Sequence, residues 1–348
     1  MISNNPRNTI KKSNIGFLSA LERVFLEFPE RPKGIISGRY GIKNGDPKTL
    51  EEIGREYDIT RERVRQIIKE TLKKLKKGKS DVIEEIKNKL AFTIKEKSGI
   101  IKEEELMAQT ADLKERGALK FFLDLFDNIE YREILGEVEG SWSNGEFSLN
   151  EWRKTKNLIK EILEKKQRPL TDQELVKEIL NLKSTEIEPK KLFNYLDVSS
   201  EIKKGRFQKW GLKSWDEITP KGTREKIYLI LKETGRPMHF KEIAEAIDKY
   251  KLNKKKRTHP QTVHNELIRD KRFILVGRGT YALSEWGFEK GTVREVIEDI
   301  LKKNSRPMRK EDILEQALKM RKVKKSTVMI NLNNFFQKVG KNEYSVKK

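Results

Sequence analysis

The chain has 348 residues, with 76 Lys and Arg against 54 Asp and Glu and a net charge of +22. That balance describes a chain that prefers polyanions, nucleic acid first among them. It has no cysteine, which excludes disulfides and thiolate metal sites and suits a reducing cytosol, and it holds no run of 18 apolar residues, which excludes a helical membrane span. The length suggests two to four domains. The first residues, MISNNPRNTIKK, lack a hydrophobic signal core. Apolar residues fall in periodic blocks, so folded modules are expected throughout.

In chain order the first informative stretch is Arg39-Tyr40-Gly41, a turn, and then TLEEIGREYDITRERVRQIIKETLKKLKK from Thr49 to Lys77. Thr49 with Glu52 three residues later is a capping box. Leu50, Ile53 and Gly54 give a short helix a narrow apolar and small face, with Gly54 a place where two helices could approach closely. Asp58-Ile59-Thr60 is the turn, and Thr60 is the next N-cap. Val64, Ile67, Ile68, Leu72 and Leu75 then recur at helical spacing as a buried stripe. Arg61, Glu62, Arg65 and Gln66 fall off that stripe on the first two turns, where a recognition helix presents base-reading side chains. Arg pairs with guanine O6/N7, Gln with adenine N6/N7, and Glu accepts from cytosine N4.

These residues resemble region 4 of the bacterial sigma-70 family, the part that reads the promoter −35 element. The resemblance covers residues 17–78 and rests on Arg39-Tyr40-Gly41, on the helix at Thr49–Gly54 and on the string Thr60–Ile67. It implies that Arg61, Glu62, Arg65 and Gln66 face the major groove or its phosphates, and that the neighbourhood upstream helps dock on the polymerase β-flap. Pro32, Gly34 and Gly38 depart from the family there, because glycine costs about 1 kcal/mol in a helix interior. No aromatic-rich helix of the kind that melts the −10 element is found, so a complete sigma factor is not expected.

After residue 80 the sequence repeats itself. Three segments carry a helix, an Arg-Pro corner and a second amphipathic helix, with corners at Arg168-Pro169, Arg236-Pro237 and Arg306-Pro307. The prolines are 68 and 70 residues apart. Each segment continues into a third helix and a two-strand pattern around a glycine turn, a hairpin signal. Three helices and a hairpin make a winged helix-turn-helix. A degenerate copy fills 82–150, and its hairpin is acidic (Glu133, Glu137, Glu139), which suits a protein partner better than DNA. The copy from Thr223 to Trp286 resembles the HARE-type winged helix, a family that includes the N-terminal domain of the RNA polymerase delta subunit. The carrying residues are Arg236–Ala244, Thr262–Leu267 and Gly277–Leu283.

The expected fold is therefore mainly α. A helix-turn-helix domain (17–78) is followed by winged helices at 82–150, 154–215, 222–288 and 291–346. Candidate DNA contacts are Thr60, Arg61, Glu62, Arg63, Arg65, Gln66 and Lys69 in the first domain. In the HARE-like copy they are Lys254, Lys255, Lys256, Arg257, Gln261, Thr262 and Arg278. The Lys254–Arg257 run reads either as a solvated loop or as a phosphate contact beside a recognition helix. In the wing, Arg272 is a further phosphate candidate, whereas Tyr281, Trp210 and Tyr344 are expected to pack the wing onto its core. His239, His259 and His264 have no metal-ligand spacing. With no phosphate cradle and no nucleophile elbow, neither enzyme activity nor a cofactor is expected. The partners expected are double-stranded DNA and RNA polymerase, with no membrane, in a cytoplasmic, nucleoid-associated protein. The function expected is promoter recognition in transcription initiation or its regulation. The alternatives are a polymerase- or nucleoid-associated interaction protein with little sequence preference, and a restriction-linked accessory module.

Overall fold

The computed structural model describes residues 15–42, 45–78, 80–182, 187–253, 257–288, 292–304, 306–320 and 324–347. The fold is mainly α, with small antiparallel sheets. Contacts divide the chain into two units, 1–165 with 174–203, and 166–173 with 204–348.

The first unit opens with α1 (Phe17–Phe25), α2 (Glu30–Tyr40), α3 (Leu50–Tyr57) and α4 (Arg61–Lys77). Helix α2 runs unbroken through Pro32, Gly34 and Gly38. Pro32 lies in its first turn, where a missing N–H costs nothing. At Gly34 the Tyr57 hydroxyl occupies the place a Cβ would take. The glycine that reads as a weakness is a socket for a side chain of α3. The capping box at Thr49 forms in full, with Thr49 N donating to Glu52 Oε2 at 2.7 Å and Glu52 N donating to Thr49 Oγ1 at 3.2 Å. Helix α3 ends at Asp58 in the left-handed region. A Cβ on Gly54 would stand 2.7 Å from the Ile59 carbonyl oxygen. Gly54 therefore makes room for the turn backbone rather than for a second helix.

The unit continues with α5 (Asp81–Glu96), β1 (Ile100–Lys102), α6 (Glu103–Thr110), α7 (Arg116–Leu125), β2 (Ile129–Ile134) and β3 (Val138–Asn144). The sheet order is β1-β3-β2. Helix α7 is a third helix turned inward: Ala118, Leu119, Phe121, Phe122, Leu123 and Leu125 are all buried. They share one core with Leu21 and Phe25 of α1, Ile36 of α2, Leu75 of α4 and Leu90 of α5. The Tyr40 ring meets Phe121 edge-on at 5.5 Å, and its hydroxyl donates to Asp124 Oδ2 at 2.9 Å. The acidic hairpin is answered from within the unit. Glu137 accepts from Arg153 at 2.8 Å, and Glu139 takes Lys102 at 2.7 Å and Lys203 as well.

Next come α8 (Leu149–Lys166), β4 (Leu170–Thr171), α9 (Asp172–Asn181), α10 (Pro189–Asp197), β5 (Ile202–Lys204) and β6 (Lys209–Leu212). The line between the units falls inside this segment. In the first unit Trp152 is fully buried and its Nε1 donates to the Tyr195 carbonyl at 2.9 Å. In the second, Trp210 Nε1 donates to Asp172 Oδ1 at 2.7 Å.

The second unit goes on with α11 (Thr223–Thr234), β7 (Met238–His239), α12 (Phe240–Lys249), α13 (Pro260–Arg269), β8 (Phe273–Gly277) and β9 (Thr280–Leu283). It ends with α14 (Val293–Asn304), β10 (Met308–Arg309), α15 (Lys310–Met320), α16 (Lys325–Phe335), β11 (Gln337–Gly340) and β12 (Glu343–Ser345). Each six-element set encloses its own apolar core. A two-residue strand follows every Arg-Pro corner and pairs with the hairpin. Leu170 stands opposite Trp210, Met238 opposite Tyr281 and Met308 opposite Tyr344. The pair Ile101 and Trp142 repeats the register without the Arg-Pro corner. Trp210, Tyr281 and Tyr344 are buried, so these aromatics pack wing to core as expected.

Candidate nucleic-acid interface

Two surfaces gather the candidate residues, one in each unit. In the first, α4 is held from behind. Val64 packs with Ile35 and Ile53 on its first half, and Leu75 enters the large core on its second. Thr60 caps the helix, its Oγ1 accepting from Arg63 N at 3.2 Å. With the stripe anchored, Thr60, Arg61, Glu62, Arg63, Arg65, Gln66 and Lys69 are all exposed on the outer face.

These side chains are already organised. Arg65 donates from Nε to Glu62 Oε2 at 2.8 Å and from Nη2 to Glu62 Oε1 at 2.6 Å. That bidentate grip, one turn apart on the helix, holds the Glu62 carboxyl below the usual carboxylate range and raises the Arg65 guanidinium. Arg63 donates to Gln66 Oε1 at 3.2 Å, and Gln66 Nε2 reaches Glu62 Oε1 at 3.5 Å. Arg61 and Lys69 have no hydrogen-bond or ion-pair partner among the described residues. The Glu62–Arg65 pairing is readable from the i, i+3 spacing.

In the second unit α13 begins at His259, whose Nδ1 accepts from Gln261 N at 3.3 Å. Arg257, Gln261 and Thr262 are exposed, with Gln261 Nε2 donating to Asn265 Oδ1 at 3.2 Å. Arg278 is exposed at the wing turn, beside Gly279 with φ +64°. That turn is pinned, because Phe240 N donates to the Gly279 carbonyl at 2.9 Å. Lys254, Lys255 and Lys256 lie outside the described residues. Arg272 is not a phosphate contact in waiting. It gives Nη2 to Asp270 at 2.6 Å, lies 3.5 Å from Glu225, and sits over the Tyr228 ring at 5.4 Å. The histidines serve as caps and packing. His239 caps α12, and Phe240 lies 4.5 Å from both His239 and His264.

Residues 25–77 match the family model for sigma-70, region 4. Residues 223–286 match the HARE-HTH family model, a restriction endonuclease HTH domain. Over 57 residues the chain is 52% identical to the RNA polymerase principal sigma factor HrdD of Streptomyces viridifaciens, covering 16% of this chain and 17% of that protein. Over 56 residues it is 45% identical to the RNA polymerase sigma factor SigA of a Nostoc species, covering 16% and 14%. A HrdD from Streptomyces griseus is 41% identical over 61 residues, 18% of each chain. The chain thus spans less than a fifth of the sigma factors it matches. Both matched families are helix-turn-helix DNA-binding domains, which places the chain in the broad class of DNA-binding, transcription-related proteins. No described helix is long and apolar enough to cross a membrane.

Proposed function

We propose that the chain recognises a promoter-like duplex element of the −35 type through the first two turns of α4, and acts with RNA polymerase in transcription initiation or its regulation. The observation that carries this reading is a helix anchored along its whole inner face with its polar turns standing clear. The major groove, ~12 Å wide, admits such a helix. A guanidinium has two edges able to give parallel N–H bonds. In Arg65 the Nε/Nη2 edge is taken by Glu62. The Nη1/Nη2 edge remains for guanine O6 and N7. Arg61 is free for a second base or a phosphate, and Gln66 matches adenine once it releases its neighbours. The Gln261, Thr262 and Arg278 surface of the HARE-like segment supplies a second contact on duplex. The chain works by binding, with no bound cofactor, and its double-stranded DNA and polymerase contacts define its role.

The test is selection from a random duplex library, followed by footprinting of promoter fragments with and without polymerase. A defined motif should emerge, and Arg61→Ala or Gln66→Ala should cost about 1–3 kcal/mol on it while relaxing discrimination. Equal losses on selected and random duplex would remove base reading from α4.

A further inference from the structure

The last segment, α14 to β12, matches no family model and carries none of the residues assigned above. Between Lys324 and Asn342 it holds four lysines, Lys324, Lys325, Lys338 and Lys341, and no carboxylate. All four are exposed, and none has a hydrogen-bond or ion-pair partner among the described residues. The contrast within the chain is sharp. In the segment from α5 to β3, Lys97, Lys102 and Lys120 are answered by Glu105, Glu139 and Glu103. Lysines left unanswered in a row across one helix and its wing are a concentration of field, not an average of the +22 charge.

Geometry keeps that field in place. Lys324 and Lys325 stand at the start of α16, whose first-turn N–H groups have no helical partner. Phe336, buried, joins α16 directly to β11. Tyr344 of β12 donates to Asn333 Oδ1 of α16 at 2.7 Å, and Lys338 stands opposite Tyr344 across the ladder. Lys341 sits in the wing turn, where the Asn342 carbonyl accepts from Lys310 N at 2.8 Å. Helix and wing are thus one braced body.

We propose that this terminal module is a second duplex-binding surface that grips phosphates through Lys324, Lys325, Lys338 and Lys341 and reads no sequence. Past its first turn, the exposed positions of α16 are Ile330, Asn333, Asn334 and Phe335, with no Arg or Gln for a base edge. Lysine is a compact charge on a flexible stem, suited to phosphate rather than to forked recognition. The inference rests on the reading that the chain acts on duplex DNA.

The experiment uses the full chain and a random-sequence DNA duplex, with affinity measured by fluorescence anisotropy over a range of salt. Replacing all four lysines with alanine should flatten the log–log salt dependence by about 3 to 4, at roughly 0.9 for each phosphate no longer neutralised. A second variant, Lys87→Ala, Lys190→Ala, Lys302→Ala and Lys319→Ala, removes the same charge from ion-paired lysines elsewhere and should keep nearly the full slope. Circular dichroism melts confirm that both variants are folded. An unchanged slope in the first variant, or an equal loss in the second, overturns the proposal. If the slope is unchanged while Arg65→Ala still abolishes discrimination on a selected duplex, only this proposal falls. If the wild-type chain binds no duplex, the reading of α4 falls with it.

Discussion

Phe121→Ala separates two views of the reading helix. In one, residues 25–77 are a self-sufficient domain. In the other, α4 is stable only because α7 lies beneath it. Phe121 is fully buried and far in sequence from α4. Its ring meets Phe25 of α1 at 5.8 Å, Tyr40 of α2 at 5.5 Å and Phe122 at 5.4 Å. Truncating a buried phenylalanine costs about 3–5 kcal/mol in transfer and cavity terms. At about 1.4 kcal/mol per factor of ten, opening of every element on that core should rise at least a hundredfold. Hydrogen exchange on the full chain reads this directly. Amides of α4 and α5 should lose protection in parallel, and binding to a selected duplex should weaken although Phe121 touches no DNA. Loss of protection in α5 and α7 with α3 and α4 unchanged would refute the shared core.

Gly34→Ala is the second test. Helix propensity alone would make it stabilising by about 1 kcal/mol, but the Tyr57 hydroxyl stands in the way, so it should destabilise by about 1–3 kcal/mol in thermal or urea unfolding. Tyr57→Phe should recover part of the loss. Arg65→Lys should lower discrimination between guanine and other bases at one position of the selected site, because lysine cannot hold Glu62 and two acceptors in parallel, and an unchanged selection profile would count against the forked reading. Burial beside Lys102 lowers Lys203 to about 8, below its unfolded value of 10.5. The folded state then binds fewer protons than the unfolded state between those values, so stability should rise as pH climbs from about 8 toward 10.5. Melts between pH 7 and 9.5 should show that rise in the wild type and a smaller one in Lys203→Met. Identical profiles would mean that Lys203 titrates as if exposed.

Signals spanning a single turn are legible in the sequence, while those that bridge distant segments are not. The box at Thr49, the cap at Thr60 and the stripe through Val64 are contacts of three or four residues, set by helix geometry alone. Gly34 reads as a defect because its partner, Tyr57, is 23 residues away and belongs to another helix. Arg272 reads as free for phosphate because nothing local announces that Glu225 and the Tyr228 ring converge on it. The strands after the corners escape a reading by pattern because two residues carry no alternation. The run from Ala118 to Leu125 signals burial by its composition, yet only the folded chain shows that α1, α2 and α4 are what it buries against.

Discrimination and grip fall to different chemistry in this chain. A side chain frozen on binding costs about 0.5–1.5 kcal/mol. Arg65 is already fixed by two bonds to Glu62 on a helix anchored at both halves, so little of that cost remains when it meets a base. Its remaining donors point in a set direction, which penalises a wrong base more than it strengthens a right one. Lys324, Lys325, Lys338 and Lys341 have no such partners among the described residues. Each keeps its rotamers and meets any phosphate within reach, so its contribution is sequence-blind and fades as salt rises. Raising salt should therefore strip affinity faster than it strips preference for the selected site. At moderate ionic strength the chain should bind more weakly overall while retaining its ranking of sequences. The ratio of selected to random affinity, followed across salt, tests that division. A ratio that collapses in step with total affinity would mean that phosphate contacts, not α4, carry the preference.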